Sequence, residues 1–469
     1  MLVTLTSAIL LLLALDILLP EWPAYNGAVA IIFLVIPADM ARLWLAGHII
    51  FTTMLFLLAI CFMALFWRDG RWWAWLAGMV IIGLSLNYYE STVGVIIALS
   101  VLAGLFGRHR TQLQRLSLLA PAVLAALYAI GRWYWQTVVG TAYGHATDNV
   151  TFAPGDLLER LSFGAGYTLR KSWLDPMLDW LQTKPGAGMS AVGETILLAA
   201  VVLLPMLAVY GLFRATRPAE PAGSVRARRR DLAIAAAVGF VVLIAGYFPV
   251  ILASYPGTGY SASRLHNLPT IGAALVIGAG MFALGLWMGR TPSRARAIAL
   301  AGLAPLVILG IAGHLATQQN IRRAWADQQL FWQSLFNQAP DFADDTYVLL
   351  MITGYDTSTK GPVPFISGYW GITHALRLLY GNPELNADFV YADPQQTLSI
   401  NGDNLILDYF GTWKYPASET VVFAFDGEER QLVRLSQLER NGVILPLGTG
   451  RIVETPTMAT EFRWLVSGE

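Results

Sequence analysis

Apolar stretches of membrane-spanning length recur along the first two thirds of this chain, and no other feature of the sequence restricts the fold as much. A helix needs about 20 mostly apolar residues to cross a hydrocarbon layer ~30 Å thick. Spans are predicted at 2–20, 24–37, 43–66, 72–88, 90–106, 117–135, 191–213, 232–253, 269–288 and 297–316. The second is short, so it is either lengthened by its flanks or re-entrant. In lipid the backbone N–H and C=O groups must find partners within the segment itself, which a helix provides. Only 13% of the 469 residues are charged and 55% are hydrophobic, against about 25% charged in an average soluble domain. The N-terminus carries neither a basic leader nor a small-residue cleavage site, so the first stretch is expected to be kept and not removed as a signal.

Arginines in the connections give the orientation. One set of loops holds Arg68 and Arg71, then Arg108, Arg110 and Arg115, then six arginines between 214 and 230, then Arg290, Arg294 and Arg296. The alternate short loops hold only Arg42 and Arg264. Basic residues stay in the cytoplasm, so the first set is assigned there. The turn around Asp39, the Tyr88-Tyr89-Glu90 turn, the connection 136–190, the loop 254–268 and the tail then fall outside. The connection 136–190 mixes aromatics with charge and is expected to lie at the interface. The expected class is therefore a polytopic α-helical membrane protein of about ten transmembrane helices with a C-terminal extracytoplasmic α/β domain. The multi-span domain covers 1–316 and the soluble domain 317–469, in a multi-pass protein of the plasma membrane. Ten spans with an outer C-terminus require an outer N-terminus. Either 24–37 does not span, or an upstream helix precedes this chain.

In the tail, Gln318 to Ala339 has the pattern of an amphipathic helix. A β-rich run follows from Thr346, a helix is predicted over 372–380 before Gly381-Asn382-Pro383, and strands at 397–400, 405–409, 420–425 and 431–435. A formal net charge of zero argues against a nucleic-acid partner. The lone Cys61 allows no internal disulfide and no thiolate metal site. No Walker A, Rossmann, zincin or nucleophile-elbow motif is present.

Polar residues at the outer ends of spans are the candidate site. Asp39, with Arg42 after it, stands between the second and third spans. Its carboxylate suits proton abstraction or a divalent cation, and equally an ordinary helix N-cap. Glu90 sits in a hairpin with almost no loop, where it is either functional or a helix-start acid favoured by the dipole. The loop containing Tyr260, Ser263, Arg264 and His266 offers an arginine fork, hydroxyls and a Gly-rich backbone suited to phosphate. Its plainer reading is a flexible turn with a snorkelling arginine. No ligand cluster marks a metal site, and no cofactor is assigned.

A multi-span core with polar residues on outer loops and a C-terminal extracytoplasmic α/β domain resembles the C-type (GT-C) integral membrane glycosyltransferases. Ile36-Pro37-Ala38-Asp39, Tyr89-Glu90 and Ser263-Arg264 are similar to outer-loop positions of that superfamily. The resemblance implies a polyprenyl-phosphate-linked sugar as donor and a membrane lipid as partner. It implies an acid such as Asp39, with Glu90, activating an acceptor hydroxyl, and Arg264 stabilising the departing lipid phosphate. One departure bears on this. Members of the family carry the catalytic carboxylate just after the first helix, and no acidic outer loop precedes residue 21 here. A transporter or scaffold, and a lipid-linked oligosaccharide polymerase or ligase using Arg160, Arg170 and Lys171, are the competing readings.

Overall fold

The computed structural model describes residues 2–38, 47–106, 111–135, 138, 152–174, 225–253, 265–289, 292–353, 369–391, 397–408, 412–427, 429–440, 443–448 and 451–453. The chain divides into two compact units, Met1–Gln318 and Gln319–Glu469.

Unit 1 is helical. Its elements are α1 (Leu2–Leu18), α2 (Pro23–Val35), α3 (Gly47–Asp69), α4 (Trp72–Tyr88), α5 (Val93–Phe106), α6 (Gln112–Trp135), α7 (Pro154–Gly166), α8 (Val225–Ala253), α9 (Pro269–Met288) and α10 (Pro292–Gln338). Among the described residues five stretches are long and apolar enough to cross a membrane: Ile50–Asp69, Gln112–Trp135, Arg229–Leu252, Pro269–Met288 and Ser293–Gln319. Leu2–Leu18, Pro23–Val35, Trp72–Tyr88 and Glu90–Leu105 are apolar but shorter. Helices thus occupy nine of the ten predicted spans, and the tenth, 191–213, lies outside the described residues.

The outward faces of these helices are apolar. On α4 the exposed stripe is Leu76, Val80 and Leu84, at the i, i+4 spacing that places side chains on one face. On α6 it is Leu116, Val123, Leu127 and Ile130. Exposed Trp72 and Trp73 open α4, and Trp133, Tyr134 and Trp135 close α6. Soluble monomers rarely expose apolar surface on this scale. Apolar sides with aromatic ends are the distribution that a lipid layer with two interfaces stabilises.

Inside the bundle, small residues let backbones touch. A Cβ built on Gly272 of α9 would stand 2.3 Å from the Leu243 nitrogen and 2.4 Å from the Gly239 oxygen of α8. One built on Gly310 of α10 would stand 2.4 Å from the Val35 oxygen of α2. Without a hydrophobic gain from lipid, close van der Waals contact of this kind is what associates membrane helices.

Unit 2 begins within the last part of α10 and, among the described residues, adds α11 (Tyr369–Tyr380) and eleven strands, β1 (Asp341–Phe342), β2 (Tyr347–Thr353), β3 (Asn386–Tyr391), β4 (Thr397–Asn401), β5 (Asn404–Asp408), β6 (Thr412–Pro416), β7 (Thr420–Asp426), β8 (Gln431–Leu435), β9 (Gln437–Arg440), β10 (Val443–Pro446) and β11 (Ile452–Val453). The main sheet has the order β3-β2-β7-β8. β2 pairs parallel to both β3 and β7, while β8 is antiparallel to β7. Helical residues cover one face of the central strand and the β4-β5-β6 sheet the other, so it reads as a continuous apolar run. Val348, Leu350 and Ile352 face a core shared with Phe331, Leu335, Ile372 and Leu376. Leu349 faces the opposite core, with Leu398, Leu405, Leu407 and Tyr415 from the antiparallel β4-β5-β6 sheet. Gly381, at φ 64°, ends α11 in the left-handed conformation that favours glycine.

Candidate functional site

The predicted site residues divide between the described chain and the rest. Asp39, Arg42, Tyr260, Ser263 and Arg264 lie outside the described residues. Glu90 and His266 lie within them, as do the residues adjoining the others. Ala38 is fully buried just before Asp39. Leu265, which follows Arg264, begins the short turn that leads into α9.

That turn is rooted in a buried polar cluster. Tyr247, near the end of α8, is fully enclosed, and a buried phenol needs hydrogen-bond partners. Its hydroxyl donates to the Gly164 carbonyl oxygen at 2.8 Å. It lies 2.6 Å from Thr168 Oγ1 and 2.5 Å from His266 Nδ1. His266 is itself fully buried. Tyr167 covers its ring, with centroids 4.5 Å apart and planes 35° apart. Gly164 belongs to α7, and Tyr167 and Thr168 to the wide helical turn Tyr167–Lys171 that extends it. Wide turns of this kind often mark functional positions. Arg160 of α7 donates from Nη1 to the Ile251 carbonyl at 2.9 Å. It therefore meets the C-terminal end of α8, where carbonyls lack helical partners and the dipole favours a cation.

Asn267 follows His266 and is 2% exposed. Its carbonyl accepts from the Thr270 hydroxyl, while its Nδ2 has no hydrogen-bond partner among the described residues. A buried unsatisfied amide of this kind costs about 1–3 kcal/mol.

Glu90 opens the short turn Glu90–Thr92 between α4 and α5. Its side chain is exposed. Its carboxylate and the Arg132 guanidinium both lie close enough to Tyr128 of α6 to act on it electrostatically. Two residues after this turn, a Cβ on Gly94 would stand 2.3 Å from the Ala245 oxygen. The start of α5 thus rests on α8 next to Tyr247. Through α8 the fold brings the Glu90 turn and the His266 turn to one end of unit 1.

A second polar contact belongs to the α1–α2 hairpin. Asn26, fully buried, donates from Nδ2 to Asp16 Oδ1 at 2.8 Å and to the Leu19 carbonyl at 2.9 Å. Among the described residues no three His, Cys, Asp or Glu side chains gather as a metal site.

Sequence reasoning placed His266 in the site, in a loop ending at Asn267, but passed over Tyr247, Thr168 and Tyr167. The signal available was a tyrosine close to the end of an apolar span, in Gly246-Tyr247-Phe248. Nothing in that triplet names its partners, which lie 19, 79 and 83 residues away.

These features define a class: a bundle of apolar helices of membrane-spanning character, followed by a separate α/β unit. Comparison with protein-family models, with characterised proteins and with solved structures finds no match.

Proposed function

We propose that this chain is an integral membrane protein of about ten spans whose C-terminal α/β unit lies on the extracytoplasmic side. We further propose that it transfers a sugar from a polyprenyl-phosphate donor to an acceptor on that face. The observation that carries this reading is the buried cluster of His266, Tyr247 and Thr168. It anchors the chain immediately after Arg264, at the end of the bundle that also holds the Glu90 turn. An arginine's planar fork of donors is suited to a phosphate leaving group. In this reading Arg264, with Ser263, Tyr260 and Arg42, binds the lipid phosphate. Asp39 or Glu90 activates the acceptor hydroxyl. The hydroxyl oxygen bonds to the anomeric carbon, the bond from that carbon to the phosphate oxygen breaks, and the proton passes to the carboxylate.

The test is thermal unfolding of detergent-purified protein with and without a polyprenyl phosphate, in wild type and Arg264→Ala. A ligand that binds only the folded state at a hundredfold excess over Kd stabilises by about 2.7 kcal/mol. We expect that stabilisation in wild type and its loss in Arg264→Ala. Equal behaviour of the two proteins would remove Arg264 from the donor site. No stabilisation in either would shift the function to transport or a scaffold.

A further inference from the structure

Two sheets of unit 2 lie face to face with no strand pairing between them among the described residues. The main sheet is ordered β3-β2-β7-β8, and β4, β5 and β6 pair only with one another. They meet through side chains. Leu398, Leu405 and Leu407 of β4 and β5 pack with Leu349, Val390 and Val422 of the main sheet. A polar contact crosses this apolar layer. Asp388 of β3, 5% exposed, accepts through one carboxyl oxygen from the hydroxyl of Tyr415 in β6 at 3.1 Å. Its other oxygen accepts from the Phe389 backbone N–H at 2.8 Å. Both donors are neutral. A carboxylate taken out of water into an apolar layer is destabilised unless charge or several donors replace its hydration. Burial accordingly raises the Asp388 pKa from 3.8 to about 6, against the pull of its two hydrogen bonds. Among the described residues the titratable side chains that line this core with Asp388 are Tyr415 of β6 and Tyr347 of β2, whose rings lie 5.5 Å apart. β4, β5 and β7 contribute leucines and Val422 to it, and the β9–β10 hairpin Leu438 and Leu445.

We infer that Asp388 is a proton-operated latch on the β4-β5-β6 sheet: the neutral acid holds that sheet against the main one, and ionisation releases it as a unit. The released sheet keeps its own ladders, Thr397↔Asp408 to Asn401↔Asn404 and Asn404↔Pro416 to Asp408↔Thr412. The opening is therefore local, of the kind that cooperative segments undergo below the global unfolding free energy. Release returns the carboxyl to water. A carboxyl whose closed-state pKa is raised holds the closed state below its open-state pKa and loses that hold as pH rises through the closed-state value. The opening equilibrium thus grows with pH between 3.8 and about 6. From pH 4 to pH 8 the growth is on the order of fiftyfold. This device goes beyond the proposed transfer reaction and does not depend on it.

Hydrogen exchange of the detergent-purified full chain from pH 4 to pH 8 reads the latch, with each amide rate divided by the intrinsic rate at that pH. Where closing outruns exchange, the quotient is the opening equilibrium constant. Amides of β4, β5 and β6 are expected to open more readily than those of β2 and β7 at every pH. Their opening is expected to rise on the order of fiftyfold across that range. In Asp388→Asn the rise is expected to vanish, with β4 to β6 still the first to open. Tyr415→Phe removes a donor that favours the ionised acid. It is expected to move the midpoint of the rise to higher pH, and it serves as the second variant if Asp388→Asn does not fold. Equal opening of the two sheets at every pH would overturn the inference, because unit 2 would then unfold as one body. So would an opening of β4 to β6 that ignores pH, or a pH dependence that survives Asp388→Asn unchanged.

Discussion

Gly272→Val is expected to yield no monodisperse folded protein in detergent, whereas Gly280→Val on the same helix is expected to purify and melt like wild type. A Cβ at position 272 meets the Leu243 nitrogen at 2.3 Å and the Gly239 oxygen at 2.4 Å. Both are backbone atoms of α8, so no rotamer change relieves the overlap. Overpacking typically costs 1–3 kcal/mol where side chains can yield. Here the two helices must separate, and the cost should exceed about 3 kcal/mol. Position 280 has nothing within 4 Å, and exposed substitutions usually fall within about 0.5 kcal/mol. Size-exclusion chromatography followed by melting separates the outcomes. A well-folded Gly272→Val protein would mean that α8 and α9 do not approach as closely as the structure has them. The same separation would release the polar cluster, because Tyr247 lies on α8 and the His266 turn leads directly into α9.

Asp388→Asn is expected to stabilise unit 2 at pH 8 by about 2–3 kcal/mol and to remove most of its pH dependence between 4 and 6. Asp388 lies in β3 with its side chain buried. It accepts from the Phe389 backbone N–H at 2.8 Å and from the Tyr415 hydroxyl at 3.1 Å. Burial raises its pKa from 3.8 to about 6, although both hydrogen bonds pull in the opposite direction. Burial, followed by the neighbouring Asp388 charge, raises the Tyr415 phenol as well.

The sign of the pH effect follows from linkage. Between pH 3.8 and about 6 the folded chain keeps a proton that the unfolded chain has lost, so stability falls as pH rises across that window. Each unit of difference is worth about 1.4 kcal/mol. The asparagine never ionises and keeps the low-pH stability throughout. Urea unfolding of the full chain at pH 4, 6 and 8 reads the effect, with pulsed hydrogen exchange at one labelling pH reporting on β2, β3 and β7. A wild-type profile that rises with pH across that window would show that Asp388 is not buried as a free acid.

The Asp388–Tyr415 contact joins the main sheet to the β4-β5-β6 sheet. A residue pair of this kind is invisible in the linear chain. Asp388 sits in Asn386-Ala387-Asp388-Phe389, where Asn, Ala and Asp are residue types depleted in strands, and the stretch was not read as one. β3 forms because β2 offers it a full parallel ladder, from Tyr347↔Asn386 to Ile352↔Tyr391. The hairpin of β9 and β10, paired from Val443↔Arg440 to Pro446↔Gln437, was passed over for a similar reason. Its exposed Val443 and Ile444 carry no one-sided pattern. By contrast the runs at β2, β5, β7 and β8 were legible, since their apolar residues match a pleated strand with one or two buried faces.

Sequence alone determined that most of this chain is apolar helix and that an α/β region follows. Both are local properties. An apolar run of helical length, or a strand-period run, already carries its conformational preference and its need for burial. What only the tertiary structure decided is which polar groups meet. Tyr247, Thr168, Gly164 and His266 come from three separate segments, and their hydrogen-bonded cluster exists only when all of them are assembled. Hydrogen-bond partnership inside a bundle depends on how helices cross and where small residues let them close. Gly94 on Ala245 and Gly272 on Leu243 set those distances. A glycine in an apolar run looks the same in sequence whether it has open space beside it, as Gly280 does, or another backbone.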